Sequence, residues 1–210
     1  MKEKLPEKVI ERLSEYRQML SIYQFASEPH INSADLARVL RTSEENVRRD
    51  LMLIGVKSTS KRKGFSVPSL IQKIGEVLDI KETETQNIVI IGKDSFIVDF
   101  LQTQKTEHKI AIAGIFDFNI SSHTLIEDLH YYPLENLTKI IAEKDALLAI
   151  INIHEEFAEQ ICEILLKAGI KGIINLCSIK LNVPNNIYLK EINPLTQLEK
   201  AFYYIKQNSI

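Results

Sequence analysis

The chain contains few cysteines and no long apolar run. Only Cys162 and Cys177 occur among its 210 residues. Two cysteines are too few for a disulfide framework and favour a reducing compartment. We interpret both as buried packing groups, with a redox thiol as the alternative. No apolar stretch approaches the roughly 18 residues of a membrane-spanning helix, and the first residues mix both charge signs, unlike a secretory signal. We therefore expect a cytoplasmic protein that does not contact membranes.

The sequence also lacks the common catalytic and metal-binding motifs. It has no phosphate-binding P-loop and no nucleophile elbow, and Ser95 has no identifiable base partner. His154 is followed by two glutamates, but a second metal ligand at a useful spacing is missing. His123 and His130 are interpreted as surface residues of a loop. The sequence therefore predicts neither an enzyme nor a metal protein.

The composition is that of a globular protein with an uneven charge distribution. Hydrophobic residues make up 45% of the chain and charged residues 26%, and the net charge is −2. Residues 1–80 contain 14 Lys and Arg against 11 Asp and Glu, whereas 81–210 contain 12 against 17. Within 41–63 the numbers are seven basic and three acidic. This modest basic patch is compatible with nucleic acid and equally with a solvated surface.

Residues 33–57 have the pattern of two short helices around a tight turn. We expect both helices to be capped, with Ser33 and Ser43 at their N-termini, because each serine is followed by acidic residues as in a first helical turn. A helix-turn-helix motif places its second helix in the major groove of DNA. This segment therefore predicts a DNA-binding module.

The second of these helices has one apolar face. Val47, Leu51 and Ile54 follow helical spacing, so they should point toward a core. Arg48 and Arg49 lie on the opposite side, where they could meet phosphates or base edges. We expect both arginines to contact DNA.

The surrounding segments complete a winged-helix architecture. Helical patterns cover residues 5–25 and begin again near Pro68, and residues 58–66 combine turn formers with three cations, as in a β-hairpin wing. Wing cations would contact the phosphate backbone, and Asn46 a base edge. The candidate DNA-binding residues are Ser43, Asn46, Arg48, Arg49, Lys57, Lys61, Arg62 and Lys63.

Residues 87–193 have a different pattern, in which strands alternate with helices. This alternation predicts an α/β fold with a Rossmann-like parallel sheet. The expected strands are 87–91, 110–116, 146–153 and 172–176, with a helix over 155–168 that Gly169 ends. The predicted domains are a winged helix (1–80), a linker (81–86), the Rossmann-like domain (87–193) and a C-terminal dimerisation helix (194–210).

The turn after the first of these strands is where a dinucleotide phosphate loop would lie. Such a loop has the pattern Gly-x-Gly-x-x-Gly, which brings the pyrophosphate to a helix N-terminus. Here Gly92 is present, but Asp94 and Ile97 replace the other two glycines. The charge of Asp94 should weaken pyrophosphate binding by about 1–3 kcal/mol, and Lys93 could offset part of this. The nucleotide signature is therefore degenerate.

An acidic residue at the end of the second strand is the usual partner of the adenosine ribose. Asp117 occupies this position, and a residue of the strand end or turn is the alternative. The candidate cofactor-binding residues are Gly92, Lys93, Asp94, Ser95, Phe96, Ile97 and Asp117.

The order of these parts resembles that of the redox-sensing transcriptional repressors of the Rex family, over essentially the full length. The most specific match is the string Ala-Gly-Ile-x-Gly-Ile-x-Asn at residues 168–175. The other matching positions are Arg12, Leu13 and Tyr16, Val47–Leu51, Gly64–Val67, Phe116 and Asp117, and Leu181–Pro184.

The resemblance implies a homodimer that binds a palindromic operator in double-stranded DNA. In that family NADH and NAD⁺ compete for the Rossmann domains, and NADH releases the winged helices from fermentative and respiratory operators. It also implies that the C-terminal helix, with its apolar residues between 195 and 205, swaps between subunits. A helix packed within one subunit is the alternative.

Several departures from the family pattern concern the ligand. Besides the degenerate loop, Asn193 stands where the family has an acid, and Ile153 and His154 replace a Val-Pro pair near the nicotinamide. A DNA-binding regulator that has lost dinucleotide sensing, with the Rossmann domain as a dimerisation platform, therefore stays open. An NAD-dependent dehydrogenase and a winged helix that docks a protein are the remaining alternatives.

Overall fold

The computed structural model describes residues 5–23, 30–56, 64–79, 85–92, 95–103 and 110–208. The chain forms two compact units, Met1–Thr83 and Glu84–Ile210. Each unit has hydrophobic clusters of its own. Within the described ranges, no helix is both long and apolar enough to cross a membrane.

The described residues of the first unit form four helices and a small two-stranded sheet. Inward side chains of all four helices, among them Leu13, Leu36, Leu51 and Leu70, are fully buried in one cluster. The elements are α1 (Glu7–Tyr23), β1 (His30–Ile31), α2 (Ser33–Val39), α3 (Glu44–Leu53), β2 (Phe65–Ser66) and α4 (Val67–Leu78).

The beginnings of α2 and α3 are fixed by side-chain caps. Ser43 caps α3 as the sequence suggests, because its hydroxyl accepts a hydrogen bond from the backbone N–H of Asn46 at 3.1 Å. The cap of α2 is Asn32, whose side chain accepts from the N–H of Asp35 at 2.8 Å. Ser33 is the first helical residue and is buried, so its expected capping role is wrong.

The wing is described in part. Phe65 and Ser66 pair antiparallel with Ile31 and His30, a strand that sequence patterns do not indicate because it is two residues long. Residues 58–63 of the predicted wing lie outside the described residues, as does Lys57.

The second unit is a seven-stranded sheet with helices on both faces. The strands are β3 (Gln86–Ile91), β4 (Ile110–Phe116), β5 (Thr124–Ile126), β6 (Leu129–Tyr132), β7 (Leu148–Ile151), β8 (Gly172–Asn175) and β9 (Tyr188–Glu191). The helices are α5 (Ser95–Thr103), α6 (Leu137–Lys144), α7 (Glu155–Lys167) and α8 (Pro194–Asn208), with a 3₁₀ turn at Leu134–Asn136.

The strand order of this sheet is β5-β6-β4-β3-β7-β8-β9, and only β5 is antiparallel to its neighbour. Without the extra edge strand β5, this is the doubly wound order of a Rossmann sheet. Successive connections reverse direction between β3 and β7, so the carboxyl ends of these two strands form the topological switch point. In open α/β sheets this is where ligands bind.

The central strands are buried on both faces of the sheet. Val89 and Ile91 belong to the cluster that includes residues of α6 and α7, while Ile88 and Ile90 pack with Val98 of α5. A strand covered on both faces needs an unbroken β-branched run, which explains the sequence of β3. Cys162 and Cys177 are also buried in the first of these clusters, and burial raises the pKa of the Cys162 thiol.

The strands β5, β6 and β9 are absent from the sequence-based expectation. The first and last are the two edges of the sheet, and every residue of β5 is exposed. Edge strands lack a continuous apolar pattern because only part of their surface is covered. Glu127 and Asp128, which connect β5 to β6, both have positive φ, at 49° and 64°.

The helix α8 ends the described chain and is exposed along its length. Leu195, Leu198, Phe202 and Ile205 recur at helical spacing, and each is more than half exposed. A large apolar stripe left open to water marks a contact surface for another protein.

Candidate functional site

The outer face of α3 carries the two arginines expected from the sequence. The Arg48 side chain is 64% exposed and that of Arg49 is 66% exposed. On the opposite face, Val47 and Leu51 are fully buried. The helix therefore presents both guanidinium groups to solvent.

A buried charged network holds α3 against α1. Asp50 of α3 is fully buried and accepts two hydrogen bonds from Arg12, from Nε at 2.6 Å and from Nη2 at 2.8 Å. The Tyr16 hydroxyl donates to the same carboxylate at 2.7 Å. Burial and the bond to Asp50 raise the pKa of Tyr16 above its ordinary value. A bidentate arginine and a tyrosine together satisfy the buried charge, so the network fixes the position of the helix.

In the sequence, Arg12, Tyr16 and Asp50 match the Rex family pattern, but we did not predict that they form a network. A signal was present, because Asp50 interrupts the inward face at the position between Val47 and Leu51. An acid among inward positions needs a cation nearby.

Both exposed arginines also pair with glutamates in the first turn of α3. Arg49 Nη2 donates to Glu45 at 3.0 Å. Arg48 Nη2 donates to Glu44, and Arg48 Nε donates to the hydroxyl of Ser33 at 3.3 Å. The Ser33 hydroxyl in turn donates to Glu44 at 2.7 Å. The two pairs therefore differ, because only the Arg48–Glu44 pair is bonded to a buried group of α2, the hydroxyl of Ser33.

The remaining residues expected at the DNA surface have mixed outcomes. Asn46 is half-buried, and its amide nitrogen lies 3.3 Å from the hydroxyl of Thr42, to which it donates. Ser43 is exposed and serves as the helix cap. The four cations predicted around the wing, Lys57, Lys61, Arg62 and Lys63, lie outside the described residues.

The switch point of the second unit is built around Gly92. Its φ is +103°, and a Cβ at this position would collide with the carbonyl oxygen of Asn152 after β7. Its N–H donates to Phe116 at 2.7 Å, and the N–H of Asn152 donates to Ile91 at 2.9 Å. The first glycine of the loop is therefore required by the close approach of two backbones.

The rest of the predicted phosphate loop is described in part. Lys93 and Asp94 lie outside the described residues, as do the side chains of Ser95 and Phe96, although α5 begins at Ser95. Ile97 is half-buried and packs in the cluster between α5 and the sheet. Its side chain thus contributes to the core, and its role in cofactor binding stays a prediction.

Asp117 follows β4 and is buried. One carboxylate oxygen accepts hydrogen bonds from Asn119, from the backbone N–H at 2.8 Å and from the side-chain amide at 2.9 Å. Asp117 therefore organises the turn that follows its strand. Beside it is an open groove of about 330 Å³. The groove is lined by Phe118, Ile120, Ser121, Pro133, Leu134 and Glu135.

Polar groups also gather where β7 and β8 end. Glu155 accepts a hydrogen bond from the Ser178 hydroxyl, and His154 Nδ1 lies 3.2 Å from Glu156. His123 and His130, expected as surface residues of a loop, share a hydrogen bond at 2.9 Å. The loop assignment is wrong for His130, which lies in β6. In the described part of the chain, no group of three or more His, Cys, Asp or Glu could hold a metal ion.

Comparisons with known proteins cover both units. A family model described as "Putative DNA-binding protein N-terminus" matches residues 4–51. The redox-sensing transcriptional repressor Rex of Bacillus subtilis (strain 168) is 28% identical over 211 residues, which cover 99% of this chain and 95% of that protein. The Rex repressor of Desulforamulus reducens is 28% identical over 200 residues, 93% of each chain. The resemblance to the Rex family is confirmed.

Solved structures with the same fold include RSP, a Rex-family repressor. Its crystal structure with β-NAD⁺ and operator DNA matches at a TM-score of 0.85 and 24% identity, over 99% of this chain and 95% of that one. Its complex with β-NADH matches at a TM-score of 0.78 and 24% identity, over 99% and 97% of the chains. The expected fold class, a winged helix followed by a Rossmann-like α/β sheet, is confirmed.

Proposed function

We propose that this protein is a DNA-binding transcriptional repressor of the Rex type. The observation that carries the proposal is the pair of outward arginines on α3, a helix fixed by the buried carboxylate of Asp50. A recognition helix must present its polar face rigidly, because base contacts depend on register. The Rex repressors that resemble this chain, and the RSP complex with operator DNA, support the same function.

The protein acts as a homodimer on a palindromic operator. The apolar stripe of α8 supplies a surface that a second copy can cover. A twofold dimer places two recognition helices on half-sites about 34–36 Å apart, one turn of DNA. We assign residues 1–80 to DNA binding, 81–86 to the linker, 87–193 to the Rossmann-like domain and 194–210 to dimerisation.

NAD(H) is the proposed ligand of the second unit. The strand order, the glycine at the switch point and the acid after β4 fit a dinucleotide, with Gly92 allowing the turn and Asp117 available to the ribose. The RSP complexes with β-NAD⁺ and β-NADH support this choice. When bound, the dinucleotide would supply a nicotinamide ring whose charge reports its redox state.

The protein is a cytoplasmic regulator and does not catalyse hydride transfer. Where β7 and β8 end, Glu155 is paired with Ser178, and His154 Nδ1 lies 3.2 Å from Glu156. A dehydrogenase needs an acid or base with its proton available to substrate.

Calorimetric titration with NADH and with NAD⁺, in the presence and absence of duplex DNA, tests the proposal. The duplex is obtained by selecting from a library of randomised sequences with the full-length protein. We expect NADH to weaken DNA binding and DNA to weaken NADH binding by the same factor, because linkage is reciprocal. Log affinity for DNA should fall linearly with log salt concentration.

Each alternative predicts a different result. Independent binding of DNA and dinucleotide would make the protein a regulator without redox sensing. Failure to enrich any duplex, together with an affinity for DNA that is insensitive to salt, would indicate a winged helix that docks a protein. Oxidation of NADH coupled to reduction of a small carbonyl compound would indicate a dehydrogenase.

A further inference from the structure

The guanidinium of Arg48 is held in a closed ring of hydrogen bonds. Arg48 donates from Nε to the Ser33 hydroxyl and from Nη2 to Glu44, and Ser33 donates to the same oxygen of Glu44. The serine is 7% exposed and lies at the first position of α2. The ring therefore connects the surface arginine of one helix to a buried group of the other.

The ring occupies the lateral edge of the guanidinium and does not occupy its end. Nε and Nη2 form the lateral pair of donors, and both of them face the ring. Nη1 makes no hydrogen bond to any residue that the structure describes. The end of the guanidinium, with parallel N–H groups on Nη1 and Nη2, is thus directed away from its anchors. Two parallel N–H donors are what bidentate binding to guanine O6 and N7 requires.

Arg49 lies next in the helix and has no such anchor. Its only hydrogen bond among the described residues is the one to Glu45, at 3.0 Å, and the side chain of Glu45 is 81% exposed. A single exposed pair between residues four apart contributes little and leaves the side chain able to reorient. Arg49 is therefore suited to a phosphate, which carries no sequence information.

We propose that Ser33 and Glu44 are positioning residues that orient Arg48 for reading a guanine, while Arg49 binds the phosphate backbone. This inference rests on the proposed DNA-binding function and divides the work between the two arginines. Orienting a long side chain before binding reduces the conformational entropy lost on contact. The resulting gain in affinity is therefore specific to the base that Arg48 contacts.

Glu45 provides a matched control for Glu44. Both are first-turn glutamates on α3, and each pairs with an arginine four residues later. Glu44→Gln and Glu45→Gln remove the same charge from the same surface, so both should raise the affinity for DNA of arbitrary sequence alike. Only Glu44→Gln weakens the ring with Ser33.

The experiment is selection from a duplex library of about 20 randomised base pairs, long enough for two half-sites. It uses the full-length wild type and the variants Glu44→Gln, Ser33→Ala, Glu45→Gln and Arg48→Ala. Sequencing gives the base preference at each position. We expect Arg48→Ala to lose the preference for one G·C pair in each half-site. Glu44→Gln and Ser33→Ala should reduce the same preference about tenfold, within the discrimination of one bidentate contact. Glu45→Gln should retain it.

Two controls separate positioning from folding. Ser33→Thr keeps the hydroxyl and should retain the preference that Ser33→Ala reduces. Thermal unfolding should show each glutamine variant with a midpoint close to that of wild type, because exposed ion pairs contribute little to stability.

Equal preferences in Glu44→Gln and Glu45→Gln would overturn the inference and leave the proposed function standing. So would a loss in Glu44→Gln at a different base pair from the one lost in Arg48→Ala. If the wild type itself enriches no sequence, the proposed function fails and this inference fails with it.

Discussion

The buried carboxylates of the two units have different hydrogen-bond partners. In the first unit, a fully buried carboxylate is satisfied by an arginine and a tyrosine, and the surface arginines on the other side of the same helix stay exposed. At the switch point of the second unit, the acid after β4 is used by its own turn, and one glycine provides the close approach of two backbones. The buried network of the first unit holds the helix that carries the exposed arginines, whereas in the described residues of the second unit the carboxylate of Asp117 bonds within its own turn.

This contrast separates two ways of preparing a binding surface. A recognition helix gains from rigidity, because each of its contacts depends on register with the bases. A crevice for a regulatory ligand gains from polar groups that become satisfied when the ligand arrives, because only differential interactions can shift an equilibrium. The four predictions that follow test this contrast.

Replacement of Asp50 by alanine should have the largest effect. It leaves the Arg12 guanidinium and the Tyr16 hydroxyl without their buried partner, which should cost about 3–5 kcal/mol of unfolding free energy. Hydrogen exchange should show faster exchange in α1 and α3, with β3 and β7 unchanged. Tyr16→Phe removes one hydrogen bond and keeps the ring, so its loss should be about 1–3 kcal/mol. Equal loss of protection in both units would contradict the independence of the first core.

Replacement of Gly92 by alanine should destabilise the second unit by about 3 kcal/mol or more. The left-handed backbone accounts for about 1–3 kcal/mol, and the collision with Asn152 adds to it. Gly169→Ala is the matched control, because Gly169 has φ +93° but open space where a Cβ would lie. Gly169→Ala should lower the free energy of unfolding by about 1–2 kcal/mol, the cost of the left-handed backbone alone. Urea unfolding measures both, and equal losses would show that the close approach does not matter.

Replacement of both Arg48 and Arg49 by alanine should lower operator affinity about 30-fold or more, because two contacts of about 1–3 kcal/mol each sum to at least about 2 kcal/mol. The dimer should remain folded, since both side chains are exposed. A control variant with Lys139→Ala and Lys167→Ala removes two exposed cations, each paired with a glutamate four residues away, from the second unit. Fluorescence anisotropy with labelled operator measures both. Similar losses in the two variants would mean that net charge alone drives binding.

Replacement of Asp117 by asparagine should have the smallest effect, about fivefold on NADH affinity. Asparagine can still accept the hydrogen bonds of Asn119, so the turn should persist while a ribose loses a charged acceptor. Unchanged calorimetric affinity with unchanged stability would assign Asp117 to the turn alone.

The sequence predicts the buried elements well. The run that forms β4 has the observed bounds, Ile110–Phe116, and the helix expected over 155–168 is α7, Glu155–Lys167. These segments are covered by neighbours, so their apolar spacing reflects their surroundings directly. The outward direction of Arg48 follows from the same spacing.

Features that depend on partners distant in sequence were not predictable in this way. Helical spacing marks Asp50 as an inward acid, but it does not identify the partners Arg12 and Tyr16, which are 38 and 34 residues away. Edge strands such as β5 are defined by backbone pairing that leaves no apolar pattern. Ser33 shows the same limitation, because a helix cap and a buried anchor look alike in a single sequence.

The connection between β5 and β6 has a consequence for how the sheet moves. Glu127 and Asp128 both hold left-handed backbone, a conformation that costs a residue with a side chain about 1 kcal/mol or more. Their hairpin forms the edge of the sheet, and β6 pairs with β4 through just two residues, Ile115 with Tyr131 and Phe116 with Tyr132. Because this turn is strained and β6 pairs with β4 over only two residues, we expect the sheet to open first at this edge. Local opening there would widen the groove beside Asp117 while the central strands stay paired.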